Sequence, residues 1–170
     1  ALAEMEESRG LDHIIMLADD ADEKVRVTAC EAMSAFPCEK TRAILKKSLE
    51  DSSKKVRIAA IKSIGELGSV SDIHILADFL ESTKDDLEQR TARRVLSEVA
   101  LKTPDYFIDM LDSKSSAIKN LAFETLVMAG TDVLARVTEV AAETENQGLV
   151  AACKKVIKQI KLPRESMFYA

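Results

Sequence analysis

Aromatic residues make up only 4% of this 170-residue chain, and tryptophan is absent. That removes the stacking platforms on which single-stranded nucleic acid is usually held. Positive charge is also in deficit. Lys and Arg total 24 against 29 Asp and Glu, for a net charge of −5. The two local basic stretches, Lys54-Lys55-Arg57-Lys62 and Lys154-Lys155-Lys158-Lys161, have acids around them and no aromatics between. The electrostatic footprint of a phosphate-backbone binder is missing, and a nucleic-acid partner is not expected. Glycine and proline number five and three, too few for a low-complexity linker. Gly65-x-x-Gly68 lacks the Lys-Ser/Thr that follows a phosphate-binding loop.

The three cysteines are an odd number in no metal-like spacing, which excludes a disulfide framework and a zinc knuckle. His13 and His74 are each followed by isoleucine and have no ligand partner four residues on, so no metal is expected. No nucleophile–base pair stands out, and no cofactor and no enzymatic activity are expected. The acidic clusters Asp19-Asp20-Asp22 and Asp85-Asp86 read as capped loops at helix N-termini, where carboxylates offset the dipole. Apolar runs nowhere approach about 18 residues, which argues against membrane insertion. No signal-peptide pattern precedes the periodic region, so the cytoplasm is the expected location.

What the chain does contain is a repeat. Ala29, Ala60, Ala92, Ala122 and Ala152 recur at nearly constant spacing in the same local pattern. A period near 30 residues marks units that bury their apolar faces only against neighbours. Seven residues before each alanine stand Asp22, Ser53, Asp85, Ser115 and Glu145, mostly good N-caps. Asp85 with Glu88, and Thr144 with Gln147, have capping-box spacing. Four before the alanine come Val25, Val56, Glu88, Ile118 and Gly148, and four after it Met33, Ile64, Leu96, Leu126 and Val156. Apolar residues at i, i+4 and i+8 share one helix face. Gly68, Gly130, Pro37 and Pro163 act as stops.

Upstream of each cap a shorter apolar run predicts a first helix, antiparallel to the second because the loop between them is short. In the third repeat Glu88-Gln89 replaces an apolar-basic pair and Arg93 stands where Cys30, Ile61, Phe123 and Cys153 do, with Leu87 a substitute for the lost apolar contact. Cys30 and Cys153 are expected to be buried, whereas Cys38, after Pro37 and beside Lys40, is the candidate exposed thiol. Gly10 ends a segment that resembles the tail of a preceding helix, so the chain is expected to belong to a larger multidomain protein or array. Met167-Phe168-Tyr169 is an apolar tag that would cover the open end of the last repeat.

The words Val25-Arg26-x-x-Ala29 and Val56-Arg57-x-x-Ala60, each after an Asp-rich or Asp-Ser loop, resemble the HEAT-repeat family, in its short form from phycobilisome lyases. Ile118-Lys119-x-x-Ala122 is a variant of the same word. The resemblance implies an all-α solenoid, a right-handed superhelix of about five two-helix repeats, with second helices lining a concave face. Repeats are expected at about 11–37, 38–69, 70–102, 103–130 and 131–161, within a solenoid over 1–161 and a tail at 162–170. It also implies that Arg26 and Arg57 pair with loop aspartates, Asp20 and Asp51 holding the matching place.

HEAT repeats are chiefly protein-binding scaffolds. The function this implies is non-catalytic capture of a protein or peptide on the second-helix face. Two residues past each alanine, Glu31, Lys62, Arg94, Glu124 and Lys154 form a charged row about 200° round from the core stripe. With Arg90 they are the candidate partner-binding residues, and the basic centre at Lys62, Arg90 and Arg94 suits an acidic peptide. Met128 and Leu121 lie near the same strip. The alternatives carried forward are a bilin-lyase-like chromophore-attachment subunit and a nucleic-acid-binding HEAT-like protein.

Overall fold

The computed structural model describes residues 2–162, and all their regular structure is helical. Pro163 and the Met167-Phe168-Tyr169 tag lie outside the described residues. The helices are α1 (Leu2–Leu17), α2 (Glu23–Met33), α3 (Glu39–Ser48), α4 (Lys54–Leu67), α5 (Val70–Ser82), α6 (Asp86–Lys102), α7 (Pro104–Met110), α8 (Ser116–Ala129), α9 (Thr131–Glu143) and α10 (Gln147–Lys161). They belong to two compact units divided between Val95 and Leu96. In the first, α1 packs on α2 and α3 on α4, and α2 lies against α4. In the second, α7 packs on α8 and α9 on α10, and α8 lies against α10. Each unit is therefore built of helix pairs whose second helices stack side by side, the all-α repeat architecture of a solenoid.

The caps explain where the second helices begin. Asp22 and Ser53 accept from the backbone N–H two residues on, and Ser115 from Ile118 N. Asp85 Oδ1 accepts from Leu87 N and Glu88 N, but the Glu88 side chain turns away from the cap, so the expected reciprocal box is only half formed. In the last pair Asn146, not Thr144 or Glu145, is the cap. Its side chain accepts from Gly148 N and Leu149 N. Thr144 ends α9 instead. A reciprocal box does occur at Ser69 and Asp72, opening α5.

Gly68 closes α4 with φ 63°, a left-handed conformation that a side chain resists. Gly10, by contrast, is no stop. It lies inside α1, which runs from Leu2 to Leu17.

The repeated alanine face is the core. Ala29, Ala60, Ala92 and Ala122 are buried, whereas Ala152 is partly exposed. Met33, Ile64, Leu96, Leu126 and Val156, one turn further on, are all 0% exposed. Because small residues let helices approach closely, Ala60→Leu is expected to overpack this face at a cost of about 1–3 kcal/mol. A thermal melt superimposable on wild type would remove Ala60 from any close contact.

Candidate protein-binding face

Cations and carboxylates at the junctions between repeats mostly face each other. Arg26 shows the arrangement most fully. Its Nε and a terminal nitrogen donate to Asp51 Oδ2 and Oδ1 at 2.8 and 2.9 Å, and its other terminal nitrogen donates to the Asp20 and Ala21 carbonyls. This fork matches carboxylate geometry. The hydrogen bonds from Arg26 hold the Asp51 carboxyl below the usual carboxylate range and push the guanidinium pKa up. The partner is thus the aspartate of the following repeat's loop; Asp20 contributes its carbonyl, while its carboxylate accepts from Asp22 N.

Arg57 repeats the motif with one change. It donates to the Asp51 and Ser52 carbonyls as expected by analogy, but its carboxylate partner is Glu88, at 2.7–2.9 Å. The reason lies in the sequence. Nine residues before Ala92 the loop has Thr83 rather than aspartate, so the helix supplies the acid. Thr83 Oγ1 completes it by donating to Glu88 Oε2 at 2.7 Å. Glu88 is 3% exposed and occupies the place of Val56. Its presence in an apolar register is therefore a substitution of one junction contact for another, and Leu87 does not replace the lost apolar side chain, being 51% exposed. Further pairs tie the same repeats together: Arg42–Asp72, Lys54–Asp85 and Lys55–Glu23.

Opposite the alanine face, the second helices of the first unit present a different set of side chains. Glu31 on α2, Lys62 on α4, and Arg90 and Arg94 on α6 are all exposed. Arg94 has an interaction of its own, so the row is not a set of idle charges. In the second unit Glu124 on α8 and Lys154 on α10 are exposed as well, and Glu124 too has an interaction. Met128 is exposed and Leu121 partly so.

The register between neighbouring second helices is fixed by contacts. Lys55 Nζ reaches Glu23 Oε1 at 2.8 Å across α2 and α4. Lys54 of α4 reaches Asp85, the residue before α6, at 2.6 Å, and Gly65 of α4 abuts Val95 of α6. Equivalent positions therefore lie side by side.

That register brings in residues the charged row alone did not reveal. Two residues before each alanine, Val27 and Ile58 are partly exposed, and Arg90 continues their line on α6. On the N-terminal side of this line stand the exposed Lys24, Lys55 and Leu87. On its C-terminal side stand Glu31, Lys62 and Arg94, with Glu66 beyond. The line is apolar on two helices, with lysines on its N-terminal side and a mixture of cations and acids on its C-terminal side. The sequence signal was present, because Val27 and Ile58 sit about 160° from the alanine, off the core stripe. Apolar residues there are easily read as ordinary core.

Elsewhere the chemistry is sparse. Among the described residues no group of His, Cys, Asp and Glu is placed to hold a metal ion. His13 and His74 are exposed on separate helices. Cys30 and Cys153 are buried, and burial pushes both thiols up. Cys38 is partly exposed at the start of α3, with Sγ 3.3 Å from Thr41 Oγ1. That hydrogen bond, more than the charge of Lys40, draws its pKa down. No described helix is long and apolar enough to cross a membrane.

A sequence model of HEAT repeats matches residues 11–97, just over half of the chain. No curated protein matches it. Among solved structures it is similar to the complex of CpcE and CpcF of phycocyanin lyase from Nostoc sp., at 17% identity. That match covers 89% of this chain and 65% of the other, with a TM-score of 0.50. It is also similar to an archaeal HEAT-like repeats protein from Thermococcus onnurineus, at 18% identity and a TM-score of 0.46, covering 93% of this chain and 73% of that one. A designed armadillo repeat protein matches at 16% identity and a TM-score of 0.45, with 93% and 85% covered. At these identities the likeness concerns fold alone.

Proposed function

The chain belongs to the HEAT-repeat family, and from that premise we propose that it is a non-catalytic scaffold holding a partner protein or peptide on the exposed face of its second helices. One observation carries this reading. Junction cations such as Arg26, Arg42 and Arg57 are engaged with internal carboxylates, whereas Lys62 and Arg90 stand exposed beside the partly exposed Val27 and Ile58. Charged residues next to apolar ones on an otherwise ordered helix face suit recognition of another chain. The rival reading is chromophore attachment, which rests on the fold likeness to the Nostoc lyase.

The test is site-specific photo-crosslinking in native lysate. A photoreactive residue at Lys62 should give discrete protein adducts. The same residue at Lys46, exposed on the first helix α3, should give few. The double reversal Lys62→Glu with Arg94→Glu should leave folding intact, because exposed substitutions usually alter stability by under about 0.5 kcal/mol. It should also reduce the Lys62-face adducts, detected from a reporter at Arg90. Adducts concentrated at Lys46 would move the binding face to the first helices. Saturable binding of a bilin by the purified chain, seen as an absorbance shift, would favour the lyase reading instead.

A further inference from the structure

Resting on the second-helix face as the binding surface, we infer that its occupant is an extended acidic segment with apolar side chains spaced three residues apart, which crosses α2, α4 and α6 along the line Val27–Ile58–Arg90. Three features of the surface specify this occupant.

The first is the apolar content of the line. Val27 and Ile58 are partly exposed at equivalent positions of adjacent, contacting helices. The same place is polar in the third and fourth repeats, at Arg90 and Asn120, and apolar again in the fifth, at the partly exposed Val150. Two apolar side chains of the partner would cover Val27 and Ile58.

The second is charge. Lys24 and Lys55 lie on one side of the line and Lys62 and Arg94 on the other, where Glu31, Glu66 and Glu98 are the exposed acids. Lys55 already has Glu23 as a neighbour, but both are well exposed and the ammonium keeps donors to spare. The cations nearest the line, Lys24, Lys55, Lys62, Arg90 and Arg94, favour acidic residues between and beyond the apolar anchors, and disfavour a basic segment by like-charge repulsion. Arg90 at the end of the line offers a planar fork for one further carboxylate.

The third is spacing. Packed helices lie about 8–10 Å apart, and an extended chain advances about 3.3 Å per residue. A segment crossing the helices therefore meets a new one every three residues or so. The anchors fall at i and i+3 on Val27 and Ile58, and the acid for Arg90 falls near i+6. A near-threefold extended backbone keeps such residues on one side.

The experiment is selection from a random dodecapeptide phage library on the immobilised chain, with counter-selection on the folded Lys62→Glu/Arg90→Glu variant. Enriched sequences should be rich in Asp and Glu and have two large apolar residues three apart. Synthetic peptides from that set should bind about tenfold more weakly to Ile58→Ser and to Lys62→Glu. They should also weaken by about tenfold as salt rises from roughly 0.1 to 0.5 M, where screening shortens.

Three outcomes overturn the inference. Enriched peptides with no apolar spacing, insensitive to Ile58→Ser, would leave only a diffuse charge effect. Basic or purely apolar consensus sequences would contradict the charge argument. Absence of any enrichment would contradict an extended-segment occupant. The photo-crosslinking at Lys62 separates these from the broader reading. Adducts there without peptide enrichment mean that the face binds a folded surface, while loss of both removes the face itself.

Discussion

Arg57→Leu is expected to destabilise the first unit by about 3 kcal/mol, measured by urea unfolding. Two losses add. The guanidinium donates to the Asp51 and Ser52 carbonyls, which fix the loop before α4. It also partners Glu88, which is 3% exposed and would be left with the Thr83 hydroxyl as donor. Leaving a buried carboxylate without its cation is costly because water cannot replace the lost partner. Arg57 itself is 23% exposed, which is why the lower end of the usual range applies. The decisive comparison is the double variant Arg57→Leu with Glu88→Val. Valine is what Val25 and Val56 supply at this register, so the junction becomes apolar on both sides. Stability should recover by about 2 kcal/mol relative to Arg57→Leu, since an apolar replacement of a buried ion pair is often close to neutral. If Arg57→Leu unfolds at the wild-type urea midpoint, Glu88 is satisfied without it and the junction argument fails.

This pair also shows how far the sequence could be read. The alanine register, the second-helix caps at Asp22, Ser53 and Ser115, and the buried row one turn after each alanine follow from periodicity and cap chemistry alone. Those signals are local, lying within one helix and its loop. Glu88 was legible only as a departure from pattern. Its meaning depends on Arg57, 31 residues earlier, and on Thr83 standing where Asp20 and Asp51 stand in the preceding repeats. The same limit applies to the binding face. The charged row was visible because charge two residues past each alanine is unusual at every repeat. Val27 and Ile58 were not, since an apolar residue 160° from a core stripe looks like a broad core until the neighbouring helix is in place. Where a contact joins repeats, the sequence supplies candidates and the packing selects among them.

Gly65→Val is expected to cost about 3 kcal/mol, for a reason of the same inter-repeat kind. Gly65 is buried in the last turns of α4, and Val95 of α6 packs directly on it. A β-carbon added at Gly65 would fall inside the contact distance of Val95 Cγ1. Val95 is itself buried, and a β-branched side chain has little rotamer freedom in a helix, so it cannot step aside cheaply. Gly65→Ala puts two effects in opposition. Replacing glycine inside a helix gains about 1 kcal/mol of propensity, while overpacking costs about 1–3 kcal/mol. The net effect should be destabilising in wild type and reverse sign in a Val95→Ala background, where the space is free. That sign reversal in a double-mutant cycle measures the α4–α6 contact without assuming either magnitude. A Gly65→Ala variant that stabilises both backgrounds equally would mean that α4 and α6 do not approach closely at this point. The register that places Lys62 beside Arg94, and Ile58 beside Arg90, would then lose one of its fixed points.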